Sequence, residues 1–176
     1  YRRHLIRSDW RDRKRPILIN NWEGTYFDFN TDKLLNIAAE AAKLGIEMLV
    51  MDDGWFGNRY DDNRALGDWK VNEKKLPGGL ERLASEVNKL GMKFGIWMEP
   101  EMISPDSDLY RAHPDWAIQI PGRTPGLARN QLVLDLTRQE VREYVWECIR
   151  EILDSTHIEY VKWDMNRQLS DLGSLC

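Results

Sequence analysis

Four short apolar runs, each breaking off in tryptophan and in carboxylate or amide side chains, constrain this chain more than any other feature. The first is Pro16-Ile17-Leu18-Ile19-Asn20-Asn21-Trp22. The second, Met48-Leu49-Val50-Met51, closes in Asp52-Asp53-Gly54-Trp55. The third, Lys93-Phe94-Gly95-Ile96-Trp97, closes in Met98-Glu99-Pro100-Glu101. The fourth, Ile158-Glu159-Tyr160-Val161-Lys162-Trp163, closes in Asp164-Met165-Asn166. The runs lack strict polar alternation, as expected of strands covered on both faces, and helical patterns lie between them. After the cap sequence Asn30-Thr31-Asp32, Leu34, Leu35, Ala38, Ala41 and Ala42 recur at helical spacing, and Gly45 suits a left-handed stop. A second helix is predicted from Gly79 to Leu90, stopped by Gly91. Residues 101–131 hold four of the seven prolines and read as one long loop. Leu132 to Leu136 reads as a short β-stretch. Thr137 is the expected cap of a helix from Arg138 to Leu153 that buries Val141, Tyr144, Val145, Cys148, Ile149 and Ile152. The fold class is therefore α/β, with four successive parallel strand–helix units.

Composition narrows the function classes. A chain of 176 residues is one domain or slightly less, and 42% hydrophobic residues suffice for a real core. Twenty-five basic against 29 acidic residues leave a net charge of −4, which argues against nucleic acid as a partner. No apolar run approaches the roughly 18 residues of a membrane span. The start, Tyr1-Arg2-Arg3-His4, lacks the apolar core of a signal peptide, and the missing initiator Met marks the chain as an expected fragment or processed piece. Residues 1–16 carry seven Arg or Lys and read as a basic, solvated lead-in, followed by a domain over 17–176. Cys148 and Cys176 form neither a metal spacing nor a disulfide framework. They suit a reducing compartment, so the expected location is cytoplasmic. His4, His113 and His157 do not cluster, and the glycines make no phosphate loop, so no cofactor is expected.

The strand ends carry the chemistry. In parallel α/β folds the ligand site lies at the carboxyl ends of the strands. Four of the eight tryptophans, Trp22, Trp55, Trp97 and Trp163, stand there beside Glu23, Asp52, Asp53, Glu99, Glu101 and Asp164. Indole faces stack on the C–H faces of a sugar, while short carboxylates accept from its hydroxyls. Adjacent residues of a strand point to opposite sides. Asp52 and Asp53 are therefore better suited to holding two hydroxyls than to acting as an acid–base pair. The plainer reading makes either of them a cap of the turn at Gly54. Lys162 and Asp164 share one side of their strand, a separation that suits an ion pair keeping Asp164 charged, as a carboxylate nucleophile requires.

The segments Asn20-Asn21-Trp22-Glu23, Met51-Asp52-Asp53-Gly54-Trp55-Phe56, Gly95-Ile96-Trp97-Met98-Glu99-Pro100-Glu101, Arg129-Asn130-Gln131-Leu132-Val133-Leu134-Asp135 and Lys162-Trp163-Asp164-Met165-Asn166-Arg167 together resemble the catalytic-domain motifs of bacterial α-galactosidases of glycoside hydrolase family 36. The resemblance runs from about residue 1 to residue 172. It implies a (β/α)8 TIM barrel of about 250 residues, of which four units make the N-terminal half. It implies Asp164 as the nucleophile of a retaining hydrolysis of terminal α-galactosides of the melibiose or raffinose type. It further implies that Asp52 and Asp53 hold galactose hydroxyls and that Trp22 and Trp97 wall the pocket. Arg129, Lys162 and Asn166 complete its hydrogen bonding. The family's acid/base Asp belongs to a motif downstream of Lys162-Trp163-Asp164 and has no counterpart here, so weak or no turnover is expected of the chain alone, with Glu99 and Glu101 the substitute carboxylates to consider. Open strand edges lead to the expectation of a homodimer that completes an eight-stranded ring. The rival reading is a non-catalytic half-barrel that folds or binds sugar as a homodimer.

Overall fold

The computed structural model describes residues 3–170 and 172–175. Its main sheet holds β1 (Leu18–Asn20), β2 (Met48–Met51), β3 (Lys93–Met98) and β6 (Tyr160–Trp163), in the order β1-β2-β3-β6. Every pairing is parallel. The register places Asn20 beside Val50, Val50 beside Gly95 and Trp97 beside Lys162. All four strand ends therefore finish at one rim.

The helices form where the pattern calls for them. In α2 (Thr31–Lys43) the Asn30 side chain accepts from the Lys33 amide at 2.9 Å, and Leu34, Ala38 and Ala41 are buried one turn apart. The chain leaves through Gly45 at φ 79°, where a side chain would strain. Helix α3 (Gly79–Lys89) buries Leu80, Leu83, Ala84 and Val87, and Gly91 at φ 77° turns the chain into β3. Helix α5 (Gln139–Ser155) buries Val141, Val145, Ile149 and Ile152, while Tyr144 and Cys148 are half-buried. Thr137 does not cap α5: Arg138 holds the cap position and makes no side-chain capping bond, and the Thr137 hydroxyl and amide donate to Asp135 Oδ1 instead. Asp135 is the stronger acceptor, and it ties the loop before the helix rather than the helix itself.

Residues 101–131 are not a plain loop. They hold β4 (Met102–Ile103), α4 (Asp108–Ala112) and a short 3-10 turn at Pro114–Trp116. Strand β4 pairs antiparallel with β5 (Leu132–Val133) in a second, two-stranded sheet. A four-residue helix, α1 (Trp22–Thr25), follows β1.

The core sits between the sheet and the helices. Every residue of β2 is buried, and β3 is buried from Phe94 to Met98, because helices cover one face and the rim aromatics the other end. The edge strands differ. Ile17 and Leu18 next to and on β1, and Tyr160 and Trp163 on β6, expose between 39% and 53% of their surface. In the lead-in, Arg13 pairs with Asp9 at 3.0 Å and Arg15 lies over the Trp10 ring, so several of its charges are answered locally. Tyr1 and Arg2 fall outside the described residues. Cys148 is free, and Cys176 lies outside the described residues. No described helix is long and apolar enough to cross a membrane.

Candidate active site

Three carboxylates at the rim organise the site. Asp52 follows β2 and is buried. Its Oδ2 accepts from Asn20 Nδ2 at 2.5 Å and from Lys162 Nζ at 2.8 Å, and its own amide donates to Asn21 Oδ1 at 2.8 Å. One carboxylate thus joins the ends of β1, β2 and β6. The Lys162–Asp164 pair expected from strand alternation does not form. Lys162 reaches past the intervening β3 to Asp52 and acts on Asp164 only through space.

Asp164 continues the β6 ladder, its amide donating to the Met98 carbonyl at 2.8 Å. Its Oδ2 accepts from Trp97 Nε1 at 2.8 Å and from Asn166 Nδ2 at 3.0 Å, and Oδ1 accepts from the Met165 amide at 3.0 Å. Partial burial pushes this carboxyl up. The three donors, with the Lys162 charge behind them, more than offset that and hold it below the ordinary carboxylate range. Asp164 is therefore a charged, oriented carboxylate still part-open to the rim, which is the state a carboxylate nucleophile needs.

Asn166 links further groups. Its Oδ1 accepts from Arg129 Nη1 at 3.0 Å, and its amide donates to Glu99. Arg129 arrives on a tight turn. Arg129 and Asn130 adopt φ of 51° and 58°, and Ala128 and Gln131 bridge across them, the two-residue hairpin geometry in which both central residues are left-handed. Glu99 is fully buried and also accepts from Gln131 Nε2 at 3.3 Å. Burial pushes its carboxyl up, against the bonds from Asn166. Glu101 accepts from Trp163 Nε1 at 2.9 Å.

The tryptophans divide. Trp22 is half-exposed at the start of α1, edge-on to Tyr26 and Phe27, with its amide donating to Asn20 Oδ1. Trp97 is 1% exposed and lies parallel to Phe56, so it presents its N–H edge, not its face, to the site. Asp53 points away from Asp52 into a buried pair with Arg59, a partner that the sequence reading missed. Arg59 sits in a long polar loop without periodicity, and no local signal marks it. Gln131 and Glu99 stand in the quoted motifs, but their mutual bond and the burial of Glu99 depend on a partner 32 positions away that no local pattern marks.

The rim is an open half-ring. A concavity of about 780 Å³ lies elsewhere, lined by Glu81, Asn88, Asp154 and His157 between α3 and the end of α5. It touches none of the rim carboxylates.

Comparison with known proteins agrees with this geometry. The protein family Melibiase matches residues 1–175. The chain is 60% identical over 174 residues to α-galactosidase AgaA of Geobacillus stearothermophilus, covering 99% of this chain and 24% of that protein. It is 59% identical over 171 residues to the bifunctional α-galactosidase/sucrose kinase AgaSK of Mediterraneibacter gnavus, covering 97% of this chain and 18% of that one. The crystal structure of AgaA, a GH36 α-galactosidase, superposes with a TM-score of 0.97 at 59% identity, over 99% of this chain and 24% of the other. The chain thus spans a quarter or less of the length of these relatives.

Proposed function

This chain belongs to the melibiase family, glycoside hydrolase family 36, and from that premise we propose that its rim forms the nucleophile side of an α-galactoside site. Asp164 attacks the anomeric carbon. A C–O bond to the carboxylate forms as the glycosidic C–O bond breaks. A second carboxylic acid, about 5–5.5 Å away, gives its proton to the leaving oxygen, and water later releases the sugar with retention. We read that acid as supplied from outside the described residues, since Glu99 and Glu101 at the rim are engaged by Asn166, Gln131 and Trp163. Asp52, Asp53, Lys162, Asn166 and Arg129 hold galactose hydroxyls, with Trp22 as an apolar wall and Trp97 lining the site by its N–H edge. Crystal structures of AgaA variants hold raffinose and stachyose, which supports terminal α-galactosides as the substrate class. The single observation that carries the reading is Asp164, held charged by Trp97, Asn166 and the Met165 amide at the end of β6.

The exposed edges support a homodimer in which two copies close one ring, and such an assembly has two copies of Asp164 and little or no turnover. We place the chain in the cytoplasm on its sparse cysteines. The test is a graft. Residues 1–175 replace the matched stretch of AgaA, and aryl α-galactoside hydrolysis is measured. The graft should turn over, and Asp164→Asn should cut its rate by about a thousandfold or more while leaving its melting temperature nearly unchanged. Near-parental rates for that variant would overturn the assignment.

A further inference from the structure

Beneath the rim lies an arginine that the reaction just described does not use. Arg59 is 1% exposed and Asp53 6%. The guanidinium meets the carboxylate as a fork, Nε donating to Oδ1 at 3.0 Å and Nη2 to Oδ2 at 2.8 Å, while Nη1 donates to the Arg64 carbonyl at 2.7 Å. Arg59 is itself held from below. The Lys75 ammonium donates to the carbonyls of Gly54, Phe27 and Arg59 at 2.8, 2.9 and 3.2 Å, and it lies over the rings of Phe29 and Tyr60. Gly54 makes room for this. At φ 106°, a Cβ there would stand 2.9 Å from Phe27 Cδ1 and 3.3 Å from Lys75 Nζ.

A pair buried this deeply persists only when its geometry is good and its remaining polar atoms find partners, and here each guanidinium nitrogen has one. Replacing such a pair by apolar side chains is often neutral or stabilising, so its presence at the end of β2 calls for a purpose beyond stability. An ionised carboxylate offers about four acceptor positions, and the Arg59 fork together with the Gly54 amide leaves room for a further donor. We infer that Arg59 is a positioning residue, whose fork orients the Asp53 carboxylate and keeps it charged as an acceptor for a sugar hydroxyl, with Lys75 holding the loop that delivers it. The inference rests on the reading of Asp53 as a galactose ligand. Burial drives Asp53 toward neutrality and its carboxyl stands above the ordinary range, with the Arg59 fork working against that rise. The other charges facing it are Lys75 from the same loop, Asp52 beside it and Glu99 from the end of β3.

The experiment uses the full chain and needs no ligand. The Asp53 carboxyl is titrated by carbon NMR in the parent, in Arg59→Lys, which keeps the charge and loses the fork, and in Arg59→Met. The midpoint should rise by about one to three pH units in Arg59→Met, with Arg59→Lys between. The double variant Asp53→Asn/Arg59→Met should melt above Arg59→Met alone, because it no longer buries an unpaired carboxylate. An unmoved midpoint in either folded variant overturns the inference. If Arg59→Met does not fold, recovery of the fold by adding Asp53→Asn supports it and failure to recover overturns it. The sugar-site reading is tested apart, by Asp53→Ala in the AgaA graft. An unchanged KM there sinks that reading and leaves the titration result where it stands.

Discussion

Replacing Trp97 by Phe separates what the indole does for packing from what it does for Asp164. Trp97 is buried against Phe56 and Trp69, and its N–H reaches Asp164 Oδ2 at 2.8 Å. Phe fills most of the same space, so the packing loss should be about 1–2 kcal/mol, below the cost of truncating an aromatic to Ala. The lost bond is to a charged acceptor, for which about 1.5–3 kcal/mol is usual, but Asp164 is part-open to water, so about 1 kcal/mol is the figure to expect. The two parts differ in their pH dependence. The folded-state pKa of Asp164 is depressed, so its contribution is fully present above the unfolded-state carboxyl range and is lost as pH falls through the folded value. The packing part does not titrate. Urea unfolding of the parent and of Trp97→Phe as a function of pH should therefore show a gap of about 2–3 kcal/mol at neutral pH. That gap should close by about 1 kcal/mol once Asp164 is protonated. A gap that stays constant over the whole acid range would refute the argument that the indole N–H holds the carboxylate charged.

Two further outcomes follow from the rim and the edges. Asp52→Ala removes the acceptor shared by Asn20 and Lys162 and should weaken galactose binding to the AgaA graft by about 1.5–3 kcal/mol, read by titration calorimetry, and parental affinity would return Asp52 to the role of a turn cap. Light scattering on the purified chain should give twice its 20.7 kDa mass, since apolar side chains beside and on both edge strands need cover, and a stable particle of 20.7 kDa would sink the homodimer.

What could be read from the sequence follows the range of the physics involved. Asn30, Gly45 and Gly91 mark helix boundaries because capping and left-handed stops depend on neighbours within a turn. The all-buried β2 and the rim placement of Asp52 and Asp164 were legible because parallel strands leave a continuous apolar run that ends at one edge. Strand β4 was hidden because two residues give no period, whereas β5 falls inside the β-stretch read over Leu132 to Leu136. Lys162 was paired with the wrong carboxylate because alternation fixes which side a residue faces and nothing about a partner 110 positions away. Arg59 was invisible for another reason: its partner Asp53 is only six positions away, but the loop between them has no period, and that loop is fixed by Lys75 on the carbonyls of Phe27, Gly54 and Arg59 itself.

The central claim is that Asp164 bonds to the sugar. The AgaA graft carrying residues 1–175 is incubated with a fluorinated α-galactosyl donor that forms the glycosyl-enzyme quickly and releases it slowly. It is then digested, and the labelled peptide is sequenced by mass spectrometry. One galactosyl label is expected, on Asp164 in the peptide that contains Lys162 and Asn166, and none in the Asp164→Asn graft. A label on Asp52, Asp53 or Glu99, or labelling that survives Asp164→Asn, would contradict it.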